Sequence, residues 1–129
     1  MLFRSAPVIE KLRPFFNETL FIESQIARWN AAVADIPPDR LANVQVAFTA
    51  HSIPLTMSRT CAYTAQLEEV CRLVAEAAGI PPERWKLVYQ SRSGRPEDPW
   101  LEPDIFEHLR GLSAQGRSEE RRVGKECRL

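Results

Sequence analysis

Residues 44–54 read Val44-Gln45-Val46-Ala47-Phe48-Thr49-Ala50-His51-Ser52-Ile53-Pro54, a short apolar run that ends in a histidine. Its β-branched and aromatic residues favour an extended strand, and Pro54 ends regular pairing just after it. In an open α/β sheet, the carboxyl ends of the strands face the ligand crevice. The run therefore predicts a strand over residues 44–49 with His51 directed at a bound ligand.

The sequence on both sides of this strand predicts an alternation of helices and strands. Apolar residues recur at helical spacing over 18–36 and again over 63–78, and Gly79 stands where a left-handed residue ends a helix. Residues 85–90 have the composition of a second strand, and a last helix is predicted over 103–112. The order helix, strand, helix, strand, helix is typical of a right-handed βαβ unit of a parallel sheet.

The helix ends and the connections carry further expectations. Asn17 is the expected N-cap of the first helix, and Pro103 is the expected first residue of the last one. Residues 7–12 are expected to hold at most a short helix, and 37–43 and 52–59 are expected to be connections. Because two strands with three helices cannot close a doubly wound core, we expect an α/β fold with a partial, incomplete doubly wound parallel sheet.

Composition excludes several classes of protein. The 129 residues carry 17 basic and 17 acidic side chains, so no basic surface is expected for nucleic acid. The sequence has no run of 18 apolar residues that would predict a transmembrane segment, and it has no recognisable secretory signal. We therefore expect a cytoplasmic location. The sequence contains no phosphate-binding glycine motif, no H-E-x-x-H and no G-x-S-x-G. The cysteines, which show no C-x-x-C spacing, are expected to be unpaired thiols: Cys61, Cys71 and Cys127.

Four residues are candidates for a functional site. His51 offers a metal ligand or a base, and the alternative is a histidine that is only hydrogen-bonded at a strand end. Ser52 and Tyr63 carry hydroxyl groups for a polar ligand edge, although capping or exposure explains them equally well. Trp100, in a proline-bounded loop, offers an indole face for stacking on a planar ligand.

Three ionisable residues outside this group have simpler interpretations. Arg92 and Arg95 lie in a polar loop and can pair with carboxylates, although solvated charges are equally consistent with the sequence. His108 falls on the last predicted helix and is expected to be exposed.

Several motifs resemble one enzyme family. Residues 46–54 look like the FSAHSLP signature of ferrochelatases, which insert ferrous iron into a porphyrin during haem synthesis. Tyr63 and Gln66 resemble the family's Y-P-x-Q, residues 87–91 its Y-Q-S strand end, and residues 99–104 its PWLEPD. These motifs occur in the family's order and spacing, and the resemblance covers residues 14–115.

The resemblance implies a fold and a site. The family has two similar flavodoxin-like, three-layer domains with the porphyrin in the cleft between them. Carried over, the role of iron ligand and acceptor of pyrrole protons falls on His51, and Tyr63, Trp100 and Ser52 become porphyrin-binding residues. Ferrous iron is then a substrate, and no iron–sulfur cluster is expected. Protoporphyrin IX and coproporphyrin III both remain open as the porphyrin, and the oligomeric state is open too.

The sequence also departs from the family pattern. The resemblance implies that residues 1–16 are an inter-domain segment and that 17–115 are the first part of the second ferrochelatase domain. The family's partner acid, in a GF-x-S/A-DH-x-E segment, is expected just after residue 115. Instead, residues 117–127 resemble a translated sequencing-library adapter, so 116–129 are expected to be a non-native or disordered tail. We therefore expect the 129-residue chain by itself to be inactive.

Two other functions remain as alternatives. A cobalt or nickel chelatase shares the fold and a histidine, but the PWLEPD-like residues 99–104 argue against it. A small α/β binding module without catalysis is the alternative from a different class.

Overall fold

The computed structural model describes residues 7–117. Helices and strands alternate through this part of the chain, which confirms the α/β class. The helices are α1 (Thr19–Val33), α2 (Pro38–Leu41), α3 (Leu55–Ser58), α4 (Tyr63–Ala77) and α5 (Ile105–Ala114), and the strands are β1 (Val46–His51) and β2 (Trp85–Gln90).

The two strands pair in parallel, and α4 lies between them in the sequence. Their register runs from Val46 opposite Trp85 to His51 opposite Gln90. The bounds of β2 agree with the prediction. The prediction for β1 was two residues too early, because pairing with β2 continues until His51 meets Gln90. His51 is therefore the last residue of the strand, where its backbone conformation is set by the ladder.

The core surrounds β2 and the inner face of α4. Val88 and Tyr89 are adjacent in β2 and both are buried. Since successive strand residues face opposite sides of a sheet, β2 is covered on both faces. Helices α4 and α5 both contact β2, and α1 packs on α4. The arrangement is consistent with part of a three-layer α/β domain, and its other buried apolar residues are Ile22, Ala50, Cys71, Val74, Ala75 and Ile80.

The beginning of α1 differs from the prediction. Its N-cap is Glu18, because the carboxamide oxygen of Asn17 accepts a hydrogen bond from Arg13 at 2.8 Å instead of capping the helix. The helix also ends at Val33, three residues before the predicted end. Residues 7–12 contain no helix, and their apolar side chains are exposed, so no packing face supports one there.

Glycine ends α4 as predicted. Gly79 has φ of +68°, the left-handed conformation that glycine adopts most easily. The amide of Ile80 donates to the carbonyl of Ala75 at 2.8 Å, and the amide of Gly79 donates to the carbonyl of Glu76 at 3.1 Å. This pair of bonds is the Schellman arrangement, and it directs the chain back towards β2.

The last helix begins later than predicted. Its N-cap is Asp104, whose carboxylate accepts from the amide of Phe106 at 2.7 Å, so Pro103 lies before the helix and is not its first residue. At its end, the amide of Arg117 donates to the carbonyl of Leu112 at 3.2 Å. Residues 118–129, which hold most of the predicted tail, lie outside the described residues.

The predicted connections contain the short helices α2 and α3, each of which begins directly after a proline. Within residues 7–117, no helix is long and apolar enough to cross a membrane.

Candidate functional site

The carboxyl ends of the two strands meet beside His51. This residue is exposed, while Ser52 directly after it is buried. The amide of Ser52 donates to the carbonyl of Gln90 at 2.7 Å, which extends the contact between the strands by one residue. The side chain of His51 is therefore exposed, while its backbone is held by the sheet.

A hydrogen bond defines the chemistry of the His51 ring. Its Nδ1 lies 2.5 Å from the carbonyl oxygen of Ser52. A carbonyl oxygen only accepts, so Nδ1 carries the hydrogen and donates it. In the neutral ring, Nε2 then holds the free lone pair, which can bind a metal ion or take up a proton.

The hydroxyl group of Ser52 has its partner inside the protein. The residue is 2% exposed, and its Oγ donates to the carbonyl of Leu101 at 2.9 Å. Direct contact of Ser52 with a porphyrin stays a prediction. The observed bond instead joins the end of β1 to the PWLEPD-like segment.

Tyr63 contacts His51 through a hydrogen bond to the backbone of the histidine. Its Oη donates to the carbonyl oxygen of His51 at 2.9 Å, which joins the first residue of α4 to the last residue of β1. Burial, with a smaller contribution from the nearby thiol of Cys61, raises the pKa of Tyr63 above its usual value. The hydroxyl group therefore keeps its hydrogen at neutral pH and remains a donor.

Residues 99–104 cross the carboxyl ends of both strands. The amide of Leu55 donates to the carbonyl of Pro99, and the amide of Leu101 donates to that of Ile53, each at 3.0 Å. Further along, the amide of Tyr89 in β2 donates to the carbonyl of Pro103 at 2.8 Å. The segment is therefore anchored both to the residues after His51 and to β2.

Trp100 is positioned by this anchoring. Its backbone forms an antiparallel bridge with Pro54, and its side chain is half-buried. Gly94 lies beside the indole, where an added Cβ would be 3.8 Å from Cζ2. The structure thus brings Trp100 to the same edge of the sheet as His51, next to the polar loop.

The other candidates have other surroundings. Arg92 donates to the carbonyls of Pro96 and Asp98 at 2.7 and 2.9 Å, so its guanidinium closes the loop on itself. His108 is half-buried rather than exposed as predicted, because α5 packs on β2. Burial and, secondarily, the charge of Lys86 lower the pKa of His108. The spacing of apolar residues along a helix does not show that a polar residue such as His108 is partly buried.

His51 is the candidate metal ligand at this edge. No group of three or more His, Cys, Asp or Glu side chains is arranged to hold a metal ion in residues 7–117. Cys61 is exposed and Cys71 is buried, and both are free thiols. Burial raises the pKa of Cys71 to about 12, so this thiol keeps its hydrogen and is a poor ligand.

The chain matches one known protein family over most of its length. The profile of the family described as Ferrochelatase matches residues 2–120. A Ferrochelatase of Rhodopirellula baltica is 48% identical over 104 residues, which are 81% of this chain and 29% of that protein. A Coproporphyrin III ferrochelatase of Streptomyces griseus is 41% identical over 124 residues, covering 85% of this chain and 33% of the relative.

A second Coproporphyrin III ferrochelatase, from Mycolicibacterium vanbaalenii, is 43% identical over 114 residues, with 86% of this chain and 33% of the relative covered. The chain thus spans about a third of the length of these curated relatives. Because the family profile covers most of its residues, this chain belongs to the ferrochelatase family.

Proposed function

We propose that this chain is part of an enzyme that inserts ferrous iron into a porphyrin, and that His51 is its iron ligand and acceptor of pyrrole protons. The observation that carries the proposal is the exposed His51 ring, whose Nδ1–H is engaged by a neighbouring carbonyl while Nε2 is free. A neutral imidazole nitrogen is a good ligand for a divalent transition metal and a base suited to neutral pH.

The chemistry needs more than this one nitrogen. Metallation of a porphyrin removes two pyrrole protons, and the metal loses its water ligands as it enters the ring. The single lone pair on Nε2 of His51 can hold the metal or a proton, but not both at once. At least one further acceptor must therefore act with His51.

The neighbouring residues divide the remaining work. We assign Trp100 to the porphyrin, because its backbone pairs with Pro54, three residues after His51, and an indole face can stack on a planar macrocycle. Tyr63 and Ser52 lie close enough to belong to the porphyrin site, and both already hold the backbone around His51. We further propose that the enzyme acts in the cytoplasm, without an iron–sulfur cluster or a nucleic-acid partner.

The names of two relatives favour one porphyrin. The proteins from Streptomyces griseus and Mycolicibacterium vanbaalenii are both Coproporphyrin III ferrochelatases. We therefore propose coproporphyrin III as the substrate ahead of protoporphyrin IX.

A chimeric enzyme tests the proposal. Residues 17–115 of this chain replace the matching segment of the Streptomyces griseus relative, and the loss of free-porphyrin fluorescence is followed anaerobically with ferrous iron. We expect the chimera to metallate coproporphyrin III, and His51→Ala to lower kcat/KM by about 100-fold or more, as for loss of a general base. His108→Ala in the same chimera is the matched control and should retain activity.

Three outcomes contradict the proposal. Unchanged activity in His51→Ala removes this residue from the reaction. A folded chimera without activity refutes the assignment of the segment to a metallating site. Faster insertion of cobalt or nickel than of ferrous iron would favour the alternative chelatase.

A further inference from the structure

We propose that Ser52 is a positioning residue: its buried hydroxyl and amide groups fix the carbonyl that keeps the hydrogen of His51 on Nδ1 and leaves Nε2 free. The role of this arrangement rests on the proposed function, in which Nε2 is the nitrogen that binds iron or accepts a pyrrole proton. The choice of tautomer itself requires neither metal nor porphyrin.

Both hydrogen-bond donors of Ser52 are used inside the protein. Its amide donates to Gln90 of β2 at 2.7 Å, and its Oγ donates to Leu101 of the crossing segment at 2.9 Å. Because Ser52 is only 2% exposed, water does not compete for these bonds. Ser52 is thus held from two directions by two segments that are distant in the sequence.

The peptide group between Ile53 and Pro54 is held as well. The carbonyl of Ile53 accepts from the amide of Leu101 at 3.0 Å. The Ser52 carbonyl therefore has fixed neighbours on both sides, and it has little freedom to turn away from the ring of His51. The carbonyl of His51, which belongs to the same peptide group as the Ser52 amide, accepts from the hydroxyl group of Tyr63 at 2.9 Å. The peptide group between His51 and Ser52 is therefore held at both its carbonyl and its amide.

This arrangement has a chemical consequence. A free neutral imidazole of histidine favours the tautomer with hydrogen on Nε2, in which the nitrogen at the tip of the ring cannot bind a metal. That preference is reversed when Nδ1–H donates a hydrogen bond to the Ser52 carbonyl. Hydrogen bonds of this kind orient metal-binding histidines and raise their basicity. Ser52 therefore acts through His51 and needs no contact with porphyrin.

The tautomer can be read directly by NMR. The sequence contains only two histidines, so two-bond 15N–1H correlations of the 15N-labelled chain show two imidazoles, and His108→Gln assigns them. At about pH 8, where imidazoles are neutral, we expect His51 to be mainly in the Nδ1–H form. A majority of the Nε2–H form, or a ratio like that of free histidine, would overturn the inference.

Variants then test Ser52 itself. In Ser52→Ala we expect the Nε2–H signals of His51 to increase at least severalfold, while circular dichroism shows that the helices remain. Ser52→Cys keeps a weaker donor of similar size and should give an intermediate ratio. Ser58→Ala is the matched control, because it also removes a serine hydroxyl that donates to a carbonyl at 2.9 Å, and it should leave the ratio unchanged.

The outcomes separate this inference from the proposed function. A wild-type tautomer in a folded Ser52→Ala or Ser52→Cys variant shows that Ser52 does not position the ring. The Nδ1–H tautomer in a chimera that does not metallate refutes the proposed function alone. Metallation with His51 in the Nε2–H form refutes the positioning role alone.

Discussion

The hydroxyl group of Tyr63 donates a hydrogen bond to the main-chain carbonyl of His51 at 2.9 Å, across twelve residues of sequence. Tyr63 is the first residue of α4 and His51 is the last residue of β1. The bond therefore closes the connection that leads from the strand through α3 into α4, and it holds the carbonyl of the peptide group whose amide belongs to Ser52. Four experiments follow from this and from other contacts of the fold.

Replacement of Tyr63 with Phe tests the bond to His51. The ring is retained and only the donor is lost, so we expect the free energy of unfolding to fall by about 0.5–1.5 kcal/mol, the usual net value of one hydrogen bond. Urea unfolding followed by circular dichroism measures this change. Tyr63→Leu, which also removes ring contacts, should cost more. Equal stability of Tyr63→Phe and the wild type would mean that the bond is not made in solution.

Two glycines give opposite expectations for the same substitution. Gly79 has φ of +68°, so Gly79→Ala should lower the free energy of unfolding by about 1–2 kcal/mol. Gly111 lies within α5, where an added Cβ meets no atom within 4 Å. Gly111→Ala should therefore raise stability by about 0.5–1 kcal/mol. The two variants are compared by urea unfolding, and a shift of the same sign in both would contradict the assigned end of α4.

The two described cysteines should differ in reactivity. Cys71 is 3% exposed and its pKa is raised to about 12, whereas Cys61 is exposed. Because the thiolate is the reacting form, iodoacetamide at about pH 8 should modify Cys61 and spare Cys71 until urea unfolds the chain. Peptide mass spectrometry identifies the modified residue. Rapid modification of Cys71 without denaturant would show that α4 is not packed as described.

The depressed pKa of His108 predicts a pH dependence of stability. Burial and the nearby Lys86 hold the pKa of this imidazole below its ordinary value of 6.5 in the folded chain. As the pH falls, the unfolded chain takes up the proton first, so stability decreases through the ordinary pKa towards the lower folded one. His108→Gln lacks this linkage.

Thermal unfolding between about pH 7.5 and about pH 5.5 provides the measurement. The melting temperature of the wild type should fall further over this range than that of His108→Gln. Parallel decreases in both proteins would indicate that His108 has the same pKa in the folded and unfolded states.

Much of the local structure was predictable from short stretches of sequence. The bounds of β2 and the start of α4 were correct, and Gly79 was identified as the end of α4. Each follows from residues within one or two turns: β-branched and aromatic runs, apolar spacing of three and four, and a glycine before prolines. The family could also be identified, because ordered motifs such as residues 46–54 stand in the sequence itself.

The errors occurred where a distant partner decides. The predicted β1 was shifted because its end is determined by pairing with Gln90. The start of the last helix is a local exception, because Asp104 caps it by accepting from the amide of Phe106, two residues further on. His108 was expected to be exposed and is half-buried by packing against the sheet.

The sequence by itself determined the class of fold and the family, and it singled out His51 as the leading candidate for a functional residue. Only the tertiary structure decided how that residue is held. The bond from Ser52 to Leu101 joins residues 49 positions apart, and Tyr63 reaches His51 across a connecting loop. Residue preferences act over a few neighbours, whereas such bonds exist only once the backbone has brought distant groups within hydrogen-bonding distance. The free nitrogen of His51 is therefore a property of the folded chain.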